Sequence, residues 1–121
     1  MGRRGIGELE AAVMNVLWDR TEPASVRDVL AALGDESLAY TTVMTVLDRL
    51  ARKGTVVRER HGRAWLYRPA ATREAHIAQL MREALALAED RESVLAHFAR
   101  LVSKDEAAAL RQALDRPRRA P

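Results

Sequence analysis

The 121 residues contain no cysteine. Disulfides, thiolate catalysis and cysteine-ligated metals are therefore excluded. Aromatic residues are few: two tryptophans, two tyrosines and one phenylalanine. No apolar run approaches the ~20 residues that span a bilayer. Met1-Gly2-Arg3-Arg4 has no apolar stretch behind its charges, and Ile6 stands where a myristoylation signal needs Ser or Thr. The expectation is a cytoplasmic chain with no membrane partner. There is no glycine-rich phosphate loop, no paired catalytic carboxylates and no Ser/His/Asp constellation, so an enzyme is not expected. The three histidines, His61, His76 and His97, fall in a turn and on two separate helices, and a metal site, which would need them to converge with carboxylates, is not expected. No cofactor is expected either.

What is present is an uneven charge. The net charge is +3, yet residues 48–68 hold seven basic residues against Asp48 and Glu59, a local balance of +5. Residues 1–47 carry −3, residues 70–115 carry −2, and Arg116, Arg118 and Arg119 add +3. A basic block between mildly acidic flanks points to a polyanion partner for that block.

The apolar spacing gives the organisation. Residues 8–20 place Leu9, Val13, Val16 and Leu17 on one helical stripe. Met14 and Trp18 lie nearly opposite, so that helix is expected to be covered on two faces. Ser25 and Asp28 form a capping box for a helix running to about Leu33, closed by Gly34. From Tyr40 to Gly54, Val43, Val46, Leu47 and Leu50 bury a third helix. The period then becomes two. Residues 56–60 and 63–68 flank His61-Gly62, which suggests a hairpin turn, and Pro69 closes the second strand.

Beyond Pro69 helices return. Ile77, Leu80, Met81, Ala84 and Ala88 form one stripe, and Val94, Leu95, Phe98, Leu101 and Val102 a second. Ser103 and Glu106 cap a last helix that carries Ala107, Leu110 and Leu114. The expected fold is mainly α with a small β component (α+β). A winged helix-turn-helix domain (1–69) precedes a three-helix dimerisation domain (70–115) and a basic tail (116–121). Three short amphipathic helices cannot bury a core alone, so their stripes should meet a symmetry mate.

The third helix would be the DNA reader. Thr41, Thr45, Asp48 and Arg52 point away from its buried stripe, with Thr42 and Arg49 on one shoulder. Threonine can donate to phosphates or bases and touch a thymine methyl, and Arg49 can reach guanine O6 and N7. Arg52 and Lys53 suit phosphates. Asp48 is the awkward member: it can pair with Arg52 four residues on, or accept from a cytosine N4. Arg60 and Arg63, on either side of the hairpin turn, would follow the phosphate backbone. Trp65 and Tyr67 suit packing against the first helix, onto Met14 or Trp18, better than base stacking. Taken alone, these residues leave two other readings open, a protein-interaction module and a non-specific architectural DNA binder.

The segments "LEAAVMNVLW" (9–18), "TTVMTVLDRL" and "GRAWLYRP" within 38–69 resemble the BlaI/MecI penicillinase-repressor family, more loosely through the C-terminal helices. The resemblance implies a homodimeric repressor on a palindromic double-stranded operator, released in a β-lactam response when a sensor protease cuts it. It assigns reading positions to Thr41, Thr42, Met44, Thr45 and Arg49. It places the cleaved bond at His97-Phe98, where His97 replaces the family asparagine. Thr55 departs from the large apolar residue usual in the family. Copper-responsive relatives have a cysteine-rich C-terminus, which this chain lacks.

Overall fold

A computed structural model describes residues 5–117. The elements are α1 (Ile6–Trp18), α2 (Val26–Leu33), α3 (Tyr40–Arg52), β1 (Val56–His61), β2 (Ala64–Pro69), α4 (Arg73–Leu85), α5 (Arg91–Leu101) and α6 (Lys104–Asp115). This is a winged helix-turn-helix followed by three helices. Residues 1–4, and 118–121 of the expected basic tail, lie outside the described residues. The chain forms two compact units, one ending at Ala78 and one beginning at Gln79.

The core of the first unit is built from the stripes that the spacing defines. Leu9, Val13 and Leu17 of α1, Val29 of α2, and Val43, Val46, Leu47 and Leu50 of α3 are buried, and Val56 and Tyr67 of the hairpin close it. Met14 is buried too, so two faces of α1 are covered. Part of that second cover comes from the start of α4. The Trp18 indole donates to the Ala71 carbonyl at 3.0 Å, and the His76 ring and Arg73 guanidinium lie 5.3 Å from its ring. Arg73 also pairs with Asp19 at 3.1 Å. These contacts carry the first unit past Pro69.

The reciprocal box at α2 is complete. Asp28 N donates to Ser25 Oγ at 3.1 Å and Ser25 N to the Asp28 carboxylate at 3.0 Å. The Ser25 backbone bond, then the Ser25 hydroxyl, hold the Asp28 carboxyl below its ordinary value. A depressed folded pKa stabilises above the unfolded value and is lost as pH falls through the folded one. Ser25→Ala is expected to cost about 1 kcal/mol of stability. Urea unfolding at neutral pH measures it, and an unchanged midpoint would deny the cap its role. In Asp28→Asn the part of the acid dependence that this carboxyl contributes should vanish.

The hairpin differs in one respect from expectation. His61 pairs with Ala64, so the turn is Gly62-Arg63 rather than His61-Gly62. Gly62 has φ +62° and no residue other than glycine has positive φ among the described residues. A positive φ at the first central position alone is the type II′ pattern. The left-handed position therefore has to fall on the glycine, which moves His61 into the strand. Ala24 bonds to Tyr67 in both directions, at 2.9 and 2.8 Å, and ties the loop before α2 to the base of the wing.

In the second unit, Asp90 caps α5 by accepting from Ser93 N, and Ser103 with Glu106 caps α6. The first helix stripe stops short of Ala88. α4 ends at Leu85, and Leu87 N and Ala88 N bond to Ala84 and Leu85 carbonyls in tight turns before the Asp90 cap. No residue of α4, α5 or α6 is buried.

Candidate nucleic-acid interface

The outer face of α3 is set by what its inner face buries. With Val43, Val46, Leu47 and Leu50 inside, Thr41, Thr42, Met44 and Thr45 are exposed and Asp48 and Arg49 are half-buried. No side chain caps the helix start, and its first turn holds no acidic residue. That end can therefore meet an anion through its own N–H groups. Thr45 Oγ1 donates to the Thr41 carbonyl at 2.9 Å. In this rotamer its methyl and its oxygen lone pairs remain for a base edge, so it offers an acceptor rather than the donor expected.

The basic residues divide by what already holds them. Asp48 takes Arg52 at 2.9 Å and Arg58 of β1 at 3.4 Å. Lys53 turns back to Glu10 of α1 at 3.3 Å, away from the reading face. Arg60 folds over the Trp65 ring at 5.2 Å and donates to the Gly62 carbonyl at 3.3 Å. Arg68 pairs with Glu59 at 3.1 Å. Arg49 and Arg63, which line the groove described next, have neither an ion pair nor a hydrogen bond among the described residues. Long surface cations take the nearest carboxylate or ring face, and spacing along one helix cannot show which neighbour another element supplies.

Between α3 and the wing lies an open groove of about 820 Å³. Met44, Thr45, Asp48, Arg49, Arg52 and Arg63 of the expected set border it; Thr41, Thr42, Lys53 and Arg60 do not. Trp65 is half-buried at the core's edge and faces this groove, with the Arg58 guanidinium 4.3 Å above its ring. The Trp18 ring is occupied by His76 and Arg73 rather than by Trp65, while β2 packs against α1 as expected. The groove also takes in Arg27, Tyr40 and Arg58, which the sequence reading did not assign to the interface. Arg27 follows the Ser25 cap by two residues, and no local pattern ties it to a groove that other elements complete. Arg27, Arg49 and Arg63 come from α2, α3 and the wing turn, and all three guanidiniums are uncommitted. The lining combines cations from three elements with the hydroxyl-bearing residues Ser25, Tyr40 and Thr45, suited to a phosphate-flanked duplex groove.

The remaining assigned residues lie elsewhere. Ile77, Leu80, Met81, Ala84, Val94, Leu95, Phe98, Leu101, Leu110 and Leu114 are all exposed on α4, α5 and α6. His97 Nδ1 lies 2.8 Å from the Ser93 carbonyl within α5. His61 is 3.8 Å from Glu59 on the wing. No group of metal-ligating residues converges among the described residues. No helix there is long and apolar enough to cross a membrane.

Residues 6–116 match the family model described as penicillinase repressor. Over 113 residues the chain is 53% identical to the transcriptional regulator BlaI of Mycobacterium tuberculosis, in strains CDC 1551 / Oshkosh and ATCC 25618 / H37Rv. That alignment covers 90% of this chain and 82% of either relative. Among solved structures, the monomeric form of Bacillus licheniformis BlaI in complex with the blaP half-operator is 25% identical. It aligns with a TM-score of 0.46 over 61% of this chain and 87% of its own.

Proposed function

The chain belongs to the penicillinase repressor family, and we propose that it acts in the cytoplasm as a homodimer on a palindromic operator, from which proteolysis releases it. As a member it is a transcriptional repressor and not an enzyme. The observation that carries the DNA-binding site is the groove in which Arg27, Arg49 and Arg63 stand uncommitted around the α3 face. Thr41, Thr42, Met44, Thr45 and Arg49 take the base edges in this reading. Arg27 and Arg63 take phosphates, and Arg52 would join them only by leaving Asp48. Lys53 and Arg60 would join only by leaving Glu10 and Trp65.

Dimerisation is assigned to residues 70–115 because three helices without one buried residue hold no core of their own. An isologous two-fold pairing would cover both copies of their apolar stripes. The reading helices would then lie about 34–36 Å apart, one turn of duplex. A cut between His97 and Phe98 would divide α5 and remove part of that cover. The bond sits within a helix, so α5 must open locally before a sensor protease can take it. The lack of buried residues keeps that opening cheap.

One experiment addresses both parts. A footprint at the gene's own promoter, in cells grown with and without a β-lactam, should show two protected half-sites about one helical turn apart. With the drug, protection should disappear as a fragment ending at His97 accumulates. Absence of any protected site would remove the operator reading. Lost protection with an intact chain would remove proteolysis and leave the operator standing.

A further inference from the structure

We infer that Asp48 is a positioning residue: by holding Arg58 it fixes the wing against the reading helix and sets the ratio of operator to non-operator binding. The inference rests on the DNA-binding reading above. A carboxylate in a cleft built for phosphates is unfavourable by itself, so its presence calls for a local account. Both carboxylate oxygens of Asp48 are already engaged. Oδ2 holds Arg52 of its own helix at 2.9 Å, and Oδ1 holds Arg58 of β1 at 3.4 Å.

The second bond is the informative one, because it crosses between elements. Arg58 pairs across the hairpin with Tyr67, which is buried. Its guanidinium lies 4.3 Å over Trp65, on the same face of β2. Trp65 packs against the core. A continuous chain of contacts thus runs from the core through Trp65 and Arg58 to Asp48 on α3. A two-stranded hairpin has little rigidity of its own. Held by this chain, the wing meets the duplex at one angle to α3.

The same carboxylate withholds two cations from phosphates. On a random duplex, where phosphate contacts supply nearly all the affinity, that loss is felt in full. On the operator the base contacts of a correctly placed helix offset it. The link therefore favours the operator by weakening everything else.

Asp48→Asn keeps the shape and removes the charge. The probes are a duplex carrying the footprinted site and one of equal composition with the site scrambled. Affinity for the scrambled duplex should rise about tenfold, and affinity for the operator should change far less. The salt dependence on the scrambled duplex should steepen by about one to two phosphate contacts as Arg52 and Arg58 are freed. Asp48→Glu, which keeps the charge, should restore most of the ratio. An unchanged ratio and salt slope would overturn the inference. So would equal weakening on both duplexes alongside a lower melting temperature, which is a folding defect. Lost preference at a single base pair would make Asp48 a base reader instead. A wild-type protein that binds both duplexes equally would overturn the operator reading and this inference with it.

Discussion

Phe98→Asp in the full chain is expected to give a monomer whose operator affinity is lower by about 10²–10⁴-fold, the factor by which linkage exceeds single-site binding. Phe98 is 40% exposed in one chain and lies on the α5 stripe with Val94, Leu95 and Leu101. The isolated subunit therefore tolerates a charge there, whereas a two-fold interface would bury two of them face to face. Burial of an unpaired carboxylate is costly enough to dissociate a modest interface. Sedimentation equilibrium should give a single-chain mass, and the variant should still bind a half-operator duplex as well as the wild type does. A dimeric Phe98→Asp would place the interface elsewhere. A monomeric variant with full operator affinity would mean that pairing does not drive operator occupancy.

The second large effect concerns Arg49. Arg49→Ala should lower operator affinity by about 1–3 kcal/mol, roughly fivefold to 150-fold, and relax the preference at one base pair. Arg49 is half-buried on the shoulder of α3, and no carboxylate among the described residues pairs with its guanidinium. Asp48, its neighbour in sequence, is already shared by Arg52 and Arg58. The planar fork is thus available for bidentate contact with a guanine edge. Arg63→Ala is the control. Arg63 stands in the wing turn, so its loss should weaken all duplexes alike and reduce the salt slope by about one contact. Binding to a panel of single-base operator variants separates the two. If Arg49→Ala loses affinity evenly across the panel, Arg49 holds a phosphate rather than a base.

Periodicity located the helices because each has one side to bury. Val43, Val46, Leu47 and Leu50 could only be an inner stripe, and all four are buried. The boxes at Ser25 and Ser103 were legible for the same local reason: donor and acceptor sit three residues apart. The hairpin turn was misplaced by one residue because His61 and Gly62 look equally turn-like until the register assigns the positive φ to Gly62. The outward cations were the least legible. Lys53, Arg58 and Arg60 are settled by Glu10, Asp48 and Trp65, partners that come from other elements or from a cross-strand neighbour. Arg27 went unassigned because α2 was read for its cap and stripe, and only the folded chain brings it to the groove.

The Ala24–Tyr67 bridge has a further effect, on solubility. It covers part of the outer edge of β2, while β1 pairs only with β2 among the described residues. The free edge of the sheet is therefore β1 itself, with Val57 partly exposed on it. Open strand edges recruit other strands, and charged side chains are the usual deterrent. Arg58, Glu59 and Arg60 stand along that edge, so the cations placed near the groove also keep two wings from joining edge to edge. Neutralising them together to weaken DNA binding would expose a flat VV-led strand to self-association. Charge reversal at Arg58 or Arg60 would leave the edge guarded.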